Sequence, residues 1–435
     1  MFRFTKEHPK QTISEQFVGI CMGILLIFAL FIGLFLAFYS VRYSYYTPSS
    51  CIGPVQPIKD SPFINILFFT IAALLLPVLN KLFQKLGNHQ KKAGYFFMGL
   101  CCLIYVTMCL IWVSELPYYP SGDQLIATAA AHYHLDGNFT MLANGGYLGQ
   151  YPFQKGLTIL YELLFTIFGD FCYSVAAKFH IGMGVITLIT GYLFVEETSH
   201  NNICKIIYCL LFLFCAPYII LTPYIYGDLP SICLCTVLFW ALLRFARTEN
   251  KLYIILCCIT ASLSLMVRTH TWIVLIAVFI GMFLVALQKK LLAPILAAAL
   301  IITSAFATQN AVNYSYLLRS GFPSTYGAPM VLWIAMGTQN NEDGPGSYNN
   351  YQSTVLSEAD FNRDVAAEIG KKNLQENLQH FTEDTDYAIW FFKTKLQMQW
   401  IEPTFETLLS TYSFDEDVLF RIGFPKSILA AYMTR

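Results

Sequence analysis

Residues 17 to 39, FVGICMGILLIFALFIGLFLAFY, contain no charged side chain. A helix needs about 20 consecutive apolar residues to cross the hydrocarbon core of a bilayer. The run is also longer than the roughly 7 to 15 residue core of a cleaved signal peptide, and no small-residue cleavage pattern follows it. It therefore predicts an uncleaved first transmembrane helix behind a polar, basic start.

The composition of the 435-residue chain points the same way. Hydrophobic residues make up 56% of the chain and charged residues only 12%, whereas soluble domains carry about 25% charged residues. The formal net charge is zero, so there is no basic excess for nucleic acid, and we expect none as a partner. The motifs GxxxxGK[ST], HExxH and GxSxG are absent, which argues against ATP or peptide hydrolysis.

Apolar runs continue along the chain and predict an all-α polytopic membrane protein with about nine transmembrane helices. The predicted spans lie near residues 17–39, 62–83, 95–114, 174–196, 206–225, 229–246, 252–267, 271–288 and 291–311.

The positions of Lys and Arg predict the orientation, because cytoplasmic loops are enriched in both. With the N-terminus in the cytoplasm, the inner side receives Arg3, Lys6, Lys10, Lys81, Lys85, Lys91, Lys92, Lys205, Arg244, Arg247, Lys251, Lys289 and Lys290. The outer side receives Arg42, Lys59, Lys155, Lys178 and Arg268. We therefore expect a multi-pass protein of the cell membrane with an extracytoplasmic C-terminus.

One apolar run, GLTILYELLFTIF at residues 156–168, is short for a span and is interrupted by Glu162. If it crossed the membrane, every later loop would be inverted against the Lys and Arg bias. The run is therefore interpreted as an interfacial or re-entrant helix in the first large outer loop.

The composition changes after about residue 312. A turn is predicted at Gly344-Pro345-Gly346, followed by amphipathic helices at roughly 358–378 and 382–399. Three segments are predicted: a two-helix N-terminal membrane segment (1–94), a transmembrane module (95–312) and a small extracytoplasmic C-terminal region (313–435).

Two carboxylates stand where predicted spans meet the outer surface. Asp123, in ELPYYPSGDQ, lies at headgroup depth, where a base could take the proton of an acceptor hydroxyl. Asp228, in YIYGDLP, could orient the acceptor or a donor phosphate, including through a metal ion. The alternative for both residues is a structural role as a helix cap.

Basic residues on the same side are candidates for phosphate binding. Arg268 and His270 interrupt the apolar stretch LSLMVRTHTWIVLIA, where a guanidinium must be paired or hydrated. Arg268 could bind a phosphate through two hydrogen bonds, and Lys178 could add positive charge. The alternatives are a snorkelling loop arginine and an interfacial anchor. The predicted substrate contacts are Gln124, Tyr151, Gln154 and Trp400. For Trp400 the simpler interpretation is an interfacial tryptophan, which is common in membrane proteins.

Over roughly residues 95 to 311 this arrangement resembles the GT-C membrane glycosyltransferases, most closely bacterial relatives of the protein O-mannosyltransferases. The shared elements are Asp123 in the first large outer loop, Tyr151-Pro152, a short helix ending at Phe168-Gly169, Lys178 opening a span, and Gly227-Asp228 after a later one. In the mannosyltransferases adjacent acids stand in the first loop, whereas Gln124 follows Asp123 here.

The resemblance implies an inverting transfer on the outer face from a polyprenyl-phosphate sugar, with a loop carboxylate as base. The expected acceptor is an envelope glycan, glycolipid or protein. The donor is already activated, so no nucleotide cofactor is implied, and a divalent cation stays an open alternative. The rival functions are a transporter or flippase of a lipid-linked saccharide and a non-catalytic assembly subunit.

Overall fold

The computed structural model describes residues 13–46, 56–115, 120, 122–199, 201–322, 327–403, 405 and 407. The helices in this part of the chain are α1 (Ile13–Ser40), α2 (Pro62–Gln84), α3 (Gln90–Glu115), α4 (Gly122–Leu135), α5 (Tyr147–Gln150), α6 (Lys155–Phe168), α7 (Cys172–Thr198), α8 (Asn202–Phe214), α9 (Pro217–Ile220), α10 (Asp228–Thr248), α11 (Leu252–Val267), α12 (Thr271–Lys289), α13 (Ala293–Ser320), α14 (Met330–Met336), α15 (Tyr351–Glu358), α16 (Arg363–Glu383) and α17 (Thr385–Trp400).

The protein is a helical, multi-pass membrane protein. Among the described residues, seven helices are long and apolar enough to cross a membrane, namely α1, α2, α3, α7, α10, α12 and α13. Two shorter apolar helices, α8 and α11, have 13 and 16 residues. The nine predicted spans thus correspond to seven long and two short helices.

The prediction of one continuous helix over 206–225 is wrong. The helix α8 ends at Phe214, and the chain resumes as the short α9 with Pro217 in its first turn. Proline lacks a backbone N–H and its ring clashes with the preceding helical turn, so the α-helix cannot continue through it.

The carbonyl groups freed by this break are bonded by side chains from neighbouring helices. Tyr105 Oη donates to the carbonyl of Tyr218 over 3.0 Å, and Trp112 Nε1 donates to the carbonyl of Ile220 over 3.2 Å. The helix α7 adds a contact of 3.2 Å between His180 Nδ1 and the carbonyl of Thr222. Irregular backbone at membrane depth is tolerated where the surrounding protein satisfies it in this way.

The helix α6 has 14 residues, which gives a length of about 21 Å against a hydrocarbon core of about 30 Å. It therefore falls short of a span. Its first turn lies directly against the end of α11, because a Cβ on Gly156 would lie 2.7 Å from Cγ of Met266. Only glycine allows this approach, which holds α6 within the bundle.

The C-terminal region is helical, as the sequence predicted, with α16 and α17 near the two expected amphipathic helices. The predicted turn at 344–346 is displaced, because Gly344 and Pro345 form a strand. They are β4 (Gly344–Pro345) of an antiparallel hairpin with β3 (Asn340–Asn341), and the turn of this hairpin lies at residues 342–343. A second hairpin pairs β1 (Tyr43–Tyr46) with β2 (Gln56–Lys59). Tyr45 Oη donates to Gln397 Oε1 over 2.7 Å, so the pair of β1 and β2 contacts α17.

Candidate functional site

Side chains from the ends of three separate helices meet at one end of the bundle. Asp123 comes from the start of α4, Asp228 from the start of α10 and Arg268 from the residue after α11. Tyr226 connects them, because its hydroxyl donates to Asp123 Oδ2 over 3.3 Å and its ring centroid lies 4.4 Å from the guanidinium carbon of Arg268. The two acids and the arginine therefore share one side of the bundle.

Asp228 and Arg268 form an ion pair. Nε of Arg268 lies 3.0 Å from Oδ1 of Asp228, and Nη2 donates to the same oxygen. Burial disfavours the charge of the guanidinium, but Asp228 outweighs it and raises the pKa of Arg268. Asp228 is also the first residue of α10, behind an N-cap glycine that has no side-chain cap. Its carboxylate binds the arginine and does not occupy the N-cap position.

Gly227 allows the two loops to approach closely enough for this pair. A Cβ at position 227 would clash with the carbonyl oxygen of Val267 and would lie 2.7 Å from Cγ of Arg268. Any larger residue must push the arginine loop away from Asp228.

Asp123 is exposed and lies in the first turn of α4, which begins at Gly122. This places it inside the helix and not at the predicted N-cap before Gln124. An acidic side chain is favoured in a first turn by the helix dipole. Gln124 itself is buried, so its predicted contact with a substrate would need the site to open.

Two tyrosines hold the Asp123 carboxylate. Burial raises the pKa of Tyr147, and the neighbouring Tyr226 and Asp123 raise it further. Burial and then Asp123 likewise raise the pKa of Tyr226. Both phenols therefore remain protonated at neutral pH and can donate hydrogen bonds. The buried amide of Gln154 in turn donates to the hydroxyl of Tyr226.

The C-terminal region contributes a second layer of polar groups. Tyr151 Oη lies 2.7 Å from Ser353 Oγ and 3.1 Å from Tyr348 Oη, and Gln352 Nε2 donates to Tyr348 over 3.1 Å. Burial, a hydrogen bond with Tyr151 and the charge of Asp123 contribute to raising the pKa of Tyr348 to about 12. The predicted substrate residue Tyr151 thus connects the first outer loop to the region after α13.

The other predicted site residues lie in different surroundings. His270 is bonded to Ser231, with 3.1 Å between Nε2 and Oγ, and burial together with Arg268 lowers its pKa. Its imidazole is therefore neutral at neutral pH. Lys178 is exposed on α7, and Trp400 is exposed at the end of α17. Within the described residues, neither side chain forms a hydrogen bond or ion pair with Asp123 or Asp228.

A second polar cluster surrounds Glu162 on α6, which the sequence marked only as an interruption. The carboxylate accepts from Tyr316 Oη over 2.7 Å and from Arg319 Nη1 over 2.6 Å, and it lies 2.8 Å from His134 Nδ1. Burial opposes its charge, but the hydrogen bonds from His134, Tyr316 and Arg319 lower the pKa of Glu162. This cluster ties α4, α6 and α13 together beside the site.

Neither Tyr226 nor Tyr147 was predicted to be a site residue, although Tyr226 stands in YIYGDLP with Asp228 and Tyr147 lies four residues before Tyr151. The chain contains 27 tyrosines, and only the tertiary arrangement separates these two from the rest. Across the described ranges, no group of three or more His, Cys, Asp or Glu side chains could hold a metal ion. No protein-family model, curated protein or solved structure matches the chain.

Proposed function

We propose that this chain is a membrane glycosyltransferase that moves a sugar from a polyprenyl-phosphate donor to a cell-envelope glycan, glycolipid or protein. The observation that carries the proposal is the exposed carboxylate of Asp123, held by Tyr226 beside the Asp228–Arg268 ion pair where membrane helices end. A base at this depth can reach a water-soluble acceptor, and a cation beside it can reach the phosphate of a lipid.

The proposed reaction is an inverting displacement. Asp123 accepts the proton of an acceptor hydroxyl while the acceptor oxygen bonds to the anomeric carbon of the sugar. The bond between that carbon and the phosphate oxygen breaks, and its electron pair leaves with the polyprenyl phosphate.

Arg268 is the proposed phosphate contact. Its hydrogen bonds within the described residues use Nε and Nη2, which leaves Nη1 to stabilise the charge that develops on the phosphate. Asp228 then acts as a positioning residue that fixes the guanidinium. Gln154 and Tyr151 are proposed to position the acceptor, directly or through Tyr226.

The proposed orientation puts this site on the extracytoplasmic face. The loops at the other end of the bundle carry Lys205, Arg244 and Lys289, and cytoplasmic loops are enriched in such residues. The N-terminus is then cytoplasmic, and α14–α17 lie outside, on the same side as Asp123.

A flippase for a lipid-linked saccharide is the alternative, and the broken α8–α9 segment favours it, because transporters use interrupted helices at their binding sites. In this chain, however, Tyr105, Trp112 and His180 already bond the carbonyl groups of Tyr218, Ile220 and Thr222. Those oxygens are therefore engaged in packing, and we favour transfer.

The test uses membranes containing equal amounts of the wild type, Asp123→Asn or Asp228→Asn, supplied with polyprenyl-phosphate hexoses and pentoses labelled in the sugar. We expect label to enter an acceptor with the wild type and transfer to fall at least about 100-fold with Asp123→Asn. The matched control is Asp136→Asn, an exposed acid on the same loop, which should behave as wild type. Full activity in both variants at Asp123 and Asp228 would overturn the proposal. Movement of an intact labelled donor across proteoliposomes without transfer would favour the flippase.

A further inference from the structure

The opposite end of the bundle has a groove that the proposed reaction does not use. It lies where α10 and α12 end and α11 and α13 begin, and its volume is about 480 Å³. This is within the range of about 300–1,000 Å³ that is common for small-molecule sites. Since α10 begins at Asp228 and ends at Thr248, the groove is a helix length away from the candidate site.

The walls of the groove are apolar and face the hydrocarbon. Ile255, Leu296 and Leu300 line it and are themselves largely exposed, as expected for side chains that contact lipid. An acyl chain can lie along such walls without desolvating a polar group.

The mouth of the groove carries two lysines, of which only Lys289 is paired with a carboxylate among the described residues. Lys289 donates to the carbonyl of Ala246 over 2.7 Å and to Glu249 Oε1 over 2.9 Å, so its charge is neutralised. Lys251 also lines the mouth, and within the described part of the chain it forms neither a hydrogen bond nor an ion pair through its ammonium group. Ala293 and Pro294, in the first turn of α13, line the same mouth, and the positive end of that helix adds to the field.

We propose that this groove binds one anionic phospholipid, with an acyl chain between α11 and α13 and its phosphate at Lys251. The occupant follows from the arrangement of charge, because Lys289 is neutralised by Glu249 whereas Lys251 is not, and apolar walls continue below the mouth. Basic pockets between transmembrane helices at the cytoplasmic surface bind anionic head groups for this reason. The proposal does not depend on the glycosyltransferase activity.

The test is native mass spectrometry of the full chain, purified in detergent and titrated with phosphatidylglycerol or phosphatidylcholine of identical acyl chains. We expect the wild type to bind phosphatidylglycerol about fivefold more tightly, the effect of one basic residue near an anionic head group. Lys251→Gln should abolish this preference. Lys85→Gln, which removes an exposed lysine after α2, should keep it.

A second variant tests the apolar walls. Leu296→Trp should fill the groove and weaken the binding of both lipids, while Lys251→Gln should weaken only that of phosphatidylglycerol. Lys251 and Leu296 are both exposed, so neither change disrupts the core. A wild type without preference for phosphatidylglycerol would show ordinary annular contact and overturn the proposal, as would a preference that survives Lys251→Gln.

Discussion

The hydroxyl of Tyr226 donates to Oδ2 of Asp123 over 3.3 Å, and the ring of the same tyrosine lies against the guanidinium of Arg268 at 4.4 Å. One side chain therefore sets the distance between the proposed base and the proposed phosphate contact. Tyr226→Phe removes the hydroxyl and keeps the ring. We expect the rate of sugar transfer to fall by about tenfold, or about 1.4 kcal/mol, as for the loss of one hydrogen bond to a charged group.

The control for this substitution is Tyr314→Phe, at a tyrosine that is 60% exposed on α13. It should leave transfer unchanged. Equal rates for the wild type and Tyr226→Phe, in membranes with matched protein levels, would show that Asp123 does not depend on this contact.

Gly227 is the second point at which a small change should have a large effect. In Gly227→Ala the new methyl group lies 2.7 Å from Cγ of Arg268, and overpacking of this kind costs about 1–3 kcal/mol. We expect a lower thermal unfolding temperature and a loss of transfer, because the arginine loop moves away from Asp228. The matched control is Gly281→Ala, where an added Cβ meets nothing within 4 Å. If both variants unfold at the wild-type temperature, the close approach at Gly227 is not needed.

The Glu162 cluster predicts a dependence of stability on pH. Its hydrogen-bonded neighbours lower the pKa of Glu162 in the folded protein, so the ionised form stabilises the fold above the unfolded pKa of about 4.3. That contribution is lost as the pH falls through the lower, folded pKa. Glu162→Gln should reduce stability at neutral pH by about 2 kcal/mol, since it removes charge-assisted hydrogen bonds from a buried site.

The measurement is thermal unfolding of the purified wild type and Glu162→Gln at neutral and acidic pH. The difference in unfolding temperature between the wild type and Glu162→Gln should be largest at neutral pH and should become smaller at acidic pH. Glu368→Gln, at a carboxylate that is 73% exposed, provides the control and should match the wild type at every pH. The difference in unfolding temperature between the wild type and Glu162→Gln could instead be the same at every pH. In that case the charge of Glu162 is not what holds α4, α6 and α13 together.

The long membrane helices could be predicted because each corresponds to an apolar run in the sequence that is long enough to cross a bilayer. For example, the spans predicted at residues 62–83 and 271–288 correspond to the helices Pro62–Gln84 and Thr271–Lys289. The break at Pro217 was missed because the surrounding run is apolar throughout. Its backbone is stabilised by Tyr105, Trp112 and His180, which are distant in sequence and cannot be assigned to these carbonyl groups before the helices are packed.

The candidate site was predictable to the extent that charges are conspicuous in apolar surroundings. Asp228 and Arg268 were selected on that basis, and Asp123 was selected because it follows a predicted span at the outer surface. The structure brings the three residues together. The pairing of Arg268 with Asp228 was not predictable, because it depends on how two loops pack at Gly227. The roles of Tyr226 and Tyr147 were hidden for another reason, since a tyrosine in a membrane protein carries no charge pattern to mark it.

The orientation can be tested by labelling single cysteines in a background without the 13 native ones. Asn144→Cys lies before α6, whereas Asn250→Cys and Lys372→Cys lie after it, all at exposed positions. The contacts of Tyr226 with Asp123 and Arg268 hold residues from before and after α6 at one end of the bundle, so we expect that α6 does not cross. A membrane-impermeant thiol reagent added outside should then label positions 144 and 372 and reach 250 only after permeabilisation. If α6 crossed, positions 250 and 372 would exchange sides relative to 144. That pattern would separate Asp123 from Asp228 and Arg268 across the bilayer, which their shared contacts with Tyr226 and with each other do not allow.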